Sequence, residues 1–506
     1  MSRRGRILDL DEPKLEFGYG QTAHHPKDGL FMFGPVQTNR NPSRMDVGVI
    51  GTPEGIRRYS AWVERINRMI PAATTGKEAN NAMWPGFQAV FNATWPSKPY
   101  VALTVDEDRL HKCMHESDRH QGIYGAVQLY ADTLRKHLHE DGSRPGVWYV
   151  VLPEFVYTYG RPKSKVPTTL KVRSKTSIGP RTARKIIGSG TLFEEEREAA
   201  ALYEYELNFH NQLKIRILDT KCALQIVRET TLTPDEYPED SRRSLQDPAS
   251  VAWNLATTSF YKSDGQPWRI ADIRDGVCYV GLVFKKLDNP KGNDNACCGA
   301  QMFLTTGDGV VFRGAPGPWY IETENRFHLS AEQAGDLARK IVAAYRERHH
   351  GRDPGELFIH GKIRFDAEEW RGFREAVPET TKLVGIQIRD QKEIKLFRYG
   401  KNPVLRGTAL IESDRLAHLW TRGYVPRLET YPGREVPNPL TIEIRQGEAD
   451  IEVVLRDVMA LTKVNFNNAQ FSDGLPVTLR FADQVGEILT AGPVVDDAPL
   501  PFKFYI

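Results

Sequence analysis

Two regions with different hydrophobic patterns meet near Trp268. In the first region, short apolar runs alternate with segments whose apolar residues recur every three to four positions. This alternation predicts strands separated by helices, and hence a Rossmann-like parallel sheet in an α/β fold. The predicted strands are DVGVIGT (46–52), PYVALTV (99–105), VWYVVLPEF (147–155) and CALQIVRETTL (222–232), and the predicted helices cover 56–70, 118–138 and the segment around His210.

The second region begins with three strands in succession and then alternates helices and strands. Ser330 with Gln333, and Asp366 with Glu369, have the spacing of capping boxes and mark two helix starts. Three strands, helix, strand, helix is the order of a ribonuclease-H-like domain. The predicted strands are 276–286, 296–306, 310–315, 356–365 and 383–390, with a hairpin turn at Gly307-Asp308-Gly309 and a helix reaching His349.

These patterns divide the chain into three parts. Residues 1–45 form an N-terminal segment, 46–270 the first domain and 271–506 the second. The turn-rich stretch GQPWRIADIRDG (265–276) is the predicted linker between the two domains.

Composition excludes several classes of protein. No apolar run is long enough to span a membrane, and the charged N-terminus does not resemble a signal peptide. The five cysteines show no CxxC motif, which favours a reducing cytoplasm. Adjacent Cys297 and Cys298 are either part of a metal site or two small buried strand residues. The 68 basic and 65 acidic residues nearly balance, so net charge does not indicate a partner.

One segment departs from this balance. The basic insert, residues 160–190, contains no acid and is rich in proline, serine, threonine and glycine, which predicts a mobile loop. It is either a solubilising surface loop or a contact for phosphate backbones, because uncompensated cations attract a polyanion. Besides Arg161, its cations are Lys163, Lys165, Lys171, Arg173, Lys175, Arg181, Arg184 and Lys185.

A second group of polar residues suits a terminal phosphate. His210 and Lys214 are four positions apart and share one face of the predicted helix, and Gln225 lies in the strand that follows. Cationic donors, an amide and a helix end are the groups that bind phosphate. The His-x-x-x-Lys spacing alone is far more common on a solvated helix face.

Five longer segments together resemble the short prokaryotic Argonautes, which consist of MID and PIWI domains. They are FHNQLKIRIL, LQIVRETTL, SFYKSDGQPW, LFIHGKIRF and LTKVNFNNAQFSDGLPVTLRFADQVG. The resemblance implies a MID pocket that binds a guide 5′ phosphate through His210, Lys214, Gln225 and Lys262. Of these Lys262 matches least closely, because 233–250 is an extra loop, and it could instead be an exposed lysine in a turn. The resemblance also implies a Mg²⁺ ion held by Gln225 and the carboxylate of Ile506, whose neighbours PFKFY predict a buried chain end.

A nuclease of the ribonuclease-H-like fold requires carboxylates that hold two metal ions about 4 Å apart. At the two central acidic positions this chain has Val283 and His360. Glu322, Glu324 and Asp483 lie near the remaining positions, where we expect solvated surface groups. We therefore predict that the PIWI domain is catalytically inactive and that His360 is a structural residue at a strand end.

An Argonaute that does not cut is expected to signal. The resemblance implies a cytoplasmic sensor in prokaryotic immunity, in which a guide RNA with a 5′ phosphate pairs with invading single-stranded DNA. It implies a partner with an APAZ region and a sirtuin-like, TIR or nuclease effector, with higher oligomers as one form of the activated complex. Two alternatives stay open: a metal-dependent nuclease using Asp483, Glu322, Glu324 or Asp308, and a scaffold that binds only its protein partner.

Overall fold

The computed structural model describes most of the chain. The described residues are 5–72, 82–174, 177–191, 193–237, 246–272, 274–286, 296–303, 309–313, 320–321, 326–431, 435–493 and 500–506. Residue 286 and the strands between 296 and 327 are described by their backbone alone. No helix in these ranges is long and apolar enough to cross a membrane.

The first half alternates strands and helices. Its strands are β1 (Arg6–Asp9), β2 (Leu15–Glu16), β3 (Thr22–Ala23), β4 (Val47–Gly51), β5 (Val101–Thr104), β6 (Val147–Leu152) and β7 (Leu224–Arg228). Its helices are α1 (Pro26–Phe33), α2 (Pro53–Ile66), α3 (Phe87–Phe91), α4 (Glu107–Met114), α5 (Arg119–Glu140), α6 (Glu154–Tyr159), α7 (Gly179–Ser189), α8 (Glu194–Ala201), α9 (Phe209–Ile217), α10 (Glu229–Leu232) and α11 (Pro248–Lys262).

A parallel sheet forms the core of this half, in the order β5-β4-β6-β7. Every residue of β4 and β6 is buried, as expected of central strands covered on both faces. The predicted parallel sheet is therefore confirmed. The fourth strand is shorter than predicted and ends at Arg228. Helix α10 begins at the next residue, Glu229, whose carboxylate accepts a hydrogen bond from Arg58 (2.6 Å).

The second half builds a larger sheet. Its strands are β8 (Arg269–Ile270), β9 (Val277–Lys286), β10 (Ala296–Phe303), β11 (Gly309–Arg313), β12 (Tyr320–Ile321), β13 (Arg326–Phe327), β14 (Glu356–Gly361), β15 (Lys382–Asp390), β16 (Thr408–Ser413), β17 (Leu416–Leu419), β18 (Leu440–Gln446) and β19 (Leu500–Pro501). Its helices are α12 (Ala331–Arg348), α13 (Ala367–Ala376), α14 (Ile451–Leu461) and α15 (Val477–Leu489).

Five neighbouring strands of this sheet have the ribonuclease-H-like order, β11-β10-β9-β14-β15. The first three are antiparallel, and β14 is parallel to both β9 and β15. Both predicted capping boxes are present, at Ser330 and at Asp366. The predicted α/β fold, a Rossmann-like unit followed by a ribonuclease-H-like unit, is confirmed. Most of the predicted hairpin turn, including Asp308, lies outside the described residues.

The predicted linker is not a free connection. Trp268 is completely buried, and its indole nitrogen donates a hydrogen bond to the carbonyl of Lys463 (3.0 Å). Strand β8, within the same stretch, pairs with β2. The N-terminal segment also joins the second half, because β1 pairs with β16 at the end of the large sheet. The turn-forming composition of this segment suggested a loose linker, but a buried aromatic residue and a strand pairing hold it against the rest of the protein.

The basic insert is also more ordered than predicted. Helix α7 occupies its last third and packs on α8, with Ala183, Ala200 and Tyr203 buried between them. Ala183, Ile186 and Ile187 have the i, i+3, i+4 spacing of an amphipathic helix, and Pro180 suits its first turn. We call α7 and α8 the insert hairpin. The prediction of a loop over the whole insert is therefore wrong.

Candidate functional site

Helix α9 positions the first two predicted phosphate-binding residues. Asn208 caps the helix by accepting hydrogen bonds from the backbone nitrogens of His210 (3.1 Å) and Asn211 (3.4 Å). His210 lies in the first turn and remains exposed to solvent, whereas Lys214, one turn later, is 3% exposed. The helix therefore directs one cation into the protein and leaves an imidazole at the surface beside it.

The other predicted residues meet Lys214 from separate elements. Lys214 Nζ donates to the carbonyl of Tyr505 (2.9 Å). Lys262 Nζ, at the end of α11, donates to the carbonyl of Leu224 (2.7 Å) and to Gln225 Oε1 (2.8 Å) on β7. Lys262 is 1% exposed, so its alternative interpretation as an exposed turn lysine is wrong. The four predicted residues thus form one cluster, which we call the lysine pocket.

The electrostatics of the lysine pocket are unusual for a protein interior. Burial lowers the pKa of Lys214 to about 7. Burial, and the charge of Lys214, lower the pKa of Lys262 well below its ordinary value. Desolvation by the surrounding protein, followed by the charges of the two lysines, lowers the pKa of His210 to about 3, so its imidazole is neutral even though part of the side chain reaches solvent. Both ammonium groups contact carbonyl oxygens, and neither forms an ion pair with a described carboxylate.

Two buried lysines without a carboxylate partner are costly to keep protonated in a folded protein, and their lowered pKa values reflect this cost. An anion placed between them would remove this cost, because it would pair with both charges in a region of low dielectric constant. A terminal phosphate carries nearly two negative charges at neutral pH and three acceptor oxygens. The charge and the hydrogen-bonding groups of the lysine pocket therefore suit a phosphate monoester.

The last residues of the chain form one wall of the lysine pocket. Phe502 is buried and stacks on Phe481 at 3.8 Å between ring centroids. Lys503 pairs with Asp264 (2.6 Å), two residues after Lys262. Tyr505 is buried and offers its carbonyl to Lys214, which places Ile506 directly beside the cluster. The expectation of a buried chain end is confirmed for Phe502 and Tyr505.

A second site lies at the carboxyl ends of β9 and β14, where the nuclease positions were predicted. Val283 and His360 are both buried. Burial lowers the pKa of His360 to about 3, and its Nδ1 is 3.0 Å from Thr478 Oγ1, so it is a neutral packing residue. The interpretation of His360 as structural agrees with this geometry.

Asp483, on α15, is not the solvated group that we expected. It pairs with Lys285 (3.7 Å), near the end of β9, and with Lys362, the residue after β14. Lys285 also contacts Glu487 one turn further along α15 (3.4 Å). Sequence reasoning missed both lysines. The two-residue period of strand β9 could have found Lys285, because it places Lys285 on the same face as Val283.

These lysines lie where a metal-dependent nuclease of this fold would hold cations. Among the described residues, no three His, Cys, Asp or Glu side chains are grouped so that they could bind a metal ion. Glu322 and Glu324 lie outside the described residues. Ammonium groups that already neutralise Asp483 would repel a divalent ion and occupy the carboxylate oxygens that it needs.

The described cations of the basic insert lie on the surface. On the insert hairpin, Arg181, Arg184 and Lys185 are exposed, while the apolar face of α7 packs inward. The preceding stretch exposes Lys163, Lys165, Lys171 and Arg173 as well. Lys175 lies outside the described residues.

Comparisons with known proteins agree on the fold. No protein-family model matches the chain, and no curated protein matches its sequence. The structure of Clostridium butyricum Argonaute bound to a guide DNA and a 19-mer target DNA aligns over 99% of this chain and 55% of that chain, with TM-score 0.63 and 15% identity. Drosophila Piwi aligns over 99% of this chain and 56% of that chain, with TM-score 0.58 and 11% identity. Aa-Ago with externally bound siRNA aligns over the same shares, 99% and 56%, with TM-score 0.53 and 13% identity.

At these identities the likeness establishes an Argonaute-like fold of the MID and PIWI type. The chain spans slightly more than half the length of each of these structures.

Proposed function

We propose that this protein binds the 5′ phosphate of a short guide RNA in the lysine pocket and uses the guide to recognise single-stranded DNA. The observation that supports the proposal most is the burial of Lys214 and Lys262 without a described carboxylate partner. Gln225, held by Lys262, adds a neutral donor and acceptor, and the neutral His210 offers a ring for the first base. One structure of similar fold, Clostridium butyricum Argonaute, is described with a guide DNA and a target DNA, which supports nucleic acid as the class of partner.

A Mg²⁺ ion beside the phosphate is part of the proposal. The side-chain carbonyl of Gln225 and the carboxylate of Ile506 are oxygen ligands of the kind that Mg²⁺ prefers. Ile506 follows Tyr505, whose carbonyl lies 2.9 Å from Lys214 Nζ. These two residues would hold the ion only with the phosphate in place, because the phosphate charge offsets repulsion by the two lysines and lets Gln225 Oε1 exchange its bond to Lys262 for the ion.

We further propose that the protein does not cleave its target. Val283 and His360 replace the central acids, and Lys285 with Lys362 neutralises Asp483. If the protein recognises its target without cleaving it, a second protein would have to respond to the bound target. The proposed partner is an APAZ-containing effector with sirtuin-like, TIR or nuclease activity, and the proposed setting is prokaryotic immunity in the cytoplasm, with assembly into higher oligomers on activation.

The decisive experiment compares guides that differ only at the 5′ end. We expect a fluorescent RNA with a 5′ phosphate to bind at least tenfold more tightly than the same RNA with a 5′ hydroxyl, because the hydroxyl forms no charge-assisted contacts. EDTA should reduce this preference if Mg²⁺ contributes, and a DNA guide of the same sequence measures the preference for RNA. Equal affinity for the two 5′ ends would refute the assignment of the lysine pocket.

A further inference from the structure

A segment between β15 and β16 combines highly exposed aromatic rings with basic residues. We call residues 391–402 the aromatic–basic segment. Phe397 is 75% exposed and Tyr399 is fully exposed, at 104%. Among the described residues, Tyr19 (75%) and Phe193 (68%) are the other aromatic side chains with comparable exposure, and they lie far apart in the sequence. Packing within the chain therefore does not explain why the rings of Phe397 and Tyr399 are present.

The charge of the aromatic–basic segment is mostly uncompensated. Its cations are Lys392, Lys395, Arg398 and Lys401, against the single acid Glu393. Lys395 donates to the carbonyl of Val436 (3.2 Å) and to Asn438, so it helps hold the segment in place. In the described part of the chain, the other three cations form no ion pair and are exposed.

The segment extends the basic edge of the second sheet. It follows β15 directly, and β15 is parallel to β14, whose end bears His360 and Lys362. Arg389 precedes Asp390, the last residue of β15, and Arg445 on β18 lies close enough to Arg364 and Arg389 to be affected by both charges. Burial lowers the pKa of Arg445, and the charges of Arg364 and Arg389 lower it further, although Glu443 partly offsets them. Three arginines against Asp390 and Glu443 therefore leave a small excess of positive charge beside the segment.

This combination of groups fits one class of partner best. Single-stranded nucleic acid offers phosphates for the cations and unpaired bases whose faces stack on aromatic rings. A duplex offers phosphates but no free base faces for these rings. A protein partner would suit the two rings and Arg398, but three of the four cations are lysines, which are depleted from protein–protein interfaces.

We propose that the aromatic–basic segment binds single-stranded nucleic acid, with Phe397 and Tyr399 stacking on bases and Lys392, Arg398 and Lys401 contacting phosphates. The strand in question is the unpaired part of the target, next to the section that pairs with the guide. This inference rests on the proposed function, which brings a target strand to the ends of β9 and β14.

The test measures what unpaired nucleotides add to target binding. The full-length protein is loaded with a 5′-phosphorylated guide, and two fluorescent DNA targets are titrated: one matching the guide in length and one with oligothymidylate tails at both ends. We expect the tails to increase affinity roughly tenfold or more, since stacking contributes about 1–3 kcal/mol per base. The double variant Phe397→Ala/Tyr399→Ala should lose most of this gain and bind the untailed target normally.

A matched control separates stacking from a general loss of surface area. Tyr19→Ala/Phe193→Ala removes two rings that are 75% and 68% exposed elsewhere, and it should retain the gain from the tails. Replacing Lys392, Arg398 and Lys401 with alanine should reduce the salt dependence of tailed-target binding. The slope of log affinity against log salt concentration should change by about 2, or ~0.7 for each lost phosphate contact with a single strand.

The outcomes distinguish this inference from the proposed function. If the guide loads through its 5′ phosphate but the tails add nothing to wild-type affinity, or add equally to the Phe397→Ala/Tyr399→Ala variant, the inference is wrong and the proposed function stands. If that variant keeps the tail effect and instead loses a protein partner, the segment is a protein-docking surface. If 5′-phosphorylated guides do not load preferentially, the proposed function itself fails.

Discussion

At the scale of single residues, the main feature of the lysine pocket is that burying two lysine side chains costs folding free energy. Lys214 and Lys262 are buried, and their ammonium groups contact carbonyl oxygens rather than carboxylates. A lysine retained for stability alone would be expected near the surface or beside an acid. A substitution of one lysine should therefore change the stability of the guide-free protein and its affinity for the guide in opposite directions.

Replacing Lys214 with methionine should separate them. Methionine keeps most of the volume and removes the buried charge, so the free energy of unfolding of the guide-free protein should stay equal or rise, by up to roughly 4 kcal/mol. Affinity for a 5′-phosphorylated guide should fall by about 1.5–3 kcal/mol, because one charge-assisted contact is lost. Chemical denaturation and fluorescence anisotropy measure the two quantities.

Lys340→Met, on the exposed surface of α12, is the matched control and should change neither quantity appreciably. A Lys214→Met protein that is strongly destabilised yet loads guide normally would identify Lys214 as a structural residue.

The lowered lysine pKa predicts how pH affects this site. In the unfolded chain the pKa of Lys214 is near its ordinary value of 10.5, whereas in the folded protein it is about 7. Between these values the unfolded chain binds more protons, so the stability of the guide-free protein should rise with pH from about 7 to 10. Guide binding should show the opposite trend, because the phosphate binds the protonated lysine and affinity should fall as pH rises.

Binding isotherms between pH 7 and 9 test this prediction, since a 5′ phosphate stays doubly ionised over that range. In the Lys214→Met variant, guide affinity should depend less on pH. A pH-independent wild-type affinity would contradict the lowered pKa.

At the scale of elements, the insert hairpin depends on one carboxylate. Asp118 caps α5 by accepting from the backbone nitrogens of His120 (2.9 Å) and Gln121 (3.4 Å). The same side chain accepts hydrogen bonds from the hydroxyl groups of Ser177 and Tyr203, which lie on either side of the hairpin. Burial raises the pKa of Asp118, but these hydroxyl groups, with the backbone bonds, outweigh burial and lower it.

Asp118→Ala should therefore loosen the hairpin. Loss of the helix cap should cost about 1–2 kcal/mol of stability, and loss of the hydroxyl contacts should increase proteolytic cleavage between residues 175 and 205. Limited proteolysis followed by mass spectrometry locates the cleavage. Asp108→Ala, an exposed acid in the first turn of α4, is the control. An unchanged digestion pattern would mean that the packing of α7 on α8 holds the hairpin by itself.

At the scale of the whole molecule, each of the two sheets carries one of the two charged sites described above. The first sheet presents the lysine pocket, and the chain end of the second half closes it through Tyr505. The second sheet presents a strand-end site with Lys285 and Lys362 on Asp483. At both sites the positive charge comes from lysine side chains of the protein, which suits phosphate binding.

We therefore predict that guide-loaded protein leaves a fully matched DNA target intact in Mg²⁺ or Mn²⁺. The measurement is gel analysis of a labelled target over hours, with a nuclease-active Argonaute as the positive control. The same reaction with the Asp483→Ala variant shows whether any cleavage comes from this protein or from a contaminating nuclease. Wild-type cleavage that this substitution abolishes would overturn the proposal of an inactive PIWI domain.

The predictable features of this protein are local ones. The β4 and β6 strands, both capping boxes and the helix with His210 and Lys214 follow from periodicity and from side-chain-to-backbone contacts a few residues apart. The resemblance of five segments to a known family supplied the grouping of His210, Lys214, Gln225 and Lys262, which spacing alone could not supply. Helix α7 was missed because glycine, proline and cations obscured its apolar spacing.

Amino-acid order by itself determined the central strands, the capped helices and the helix with His210 and Lys214, because helix and strand periods and caps depend on neighbours in the chain. Tertiary structure alone decided which charges are neutralised. Lys214 meets a carbonyl 291 positions away, Lys362 meets Asp483 121 positions away, and Trp268 packs into the body of the protein. Electrostatic energy depends on distance and burial in three dimensions, so a lysine that pairs with an acid and one that does not look alike until the chain is folded.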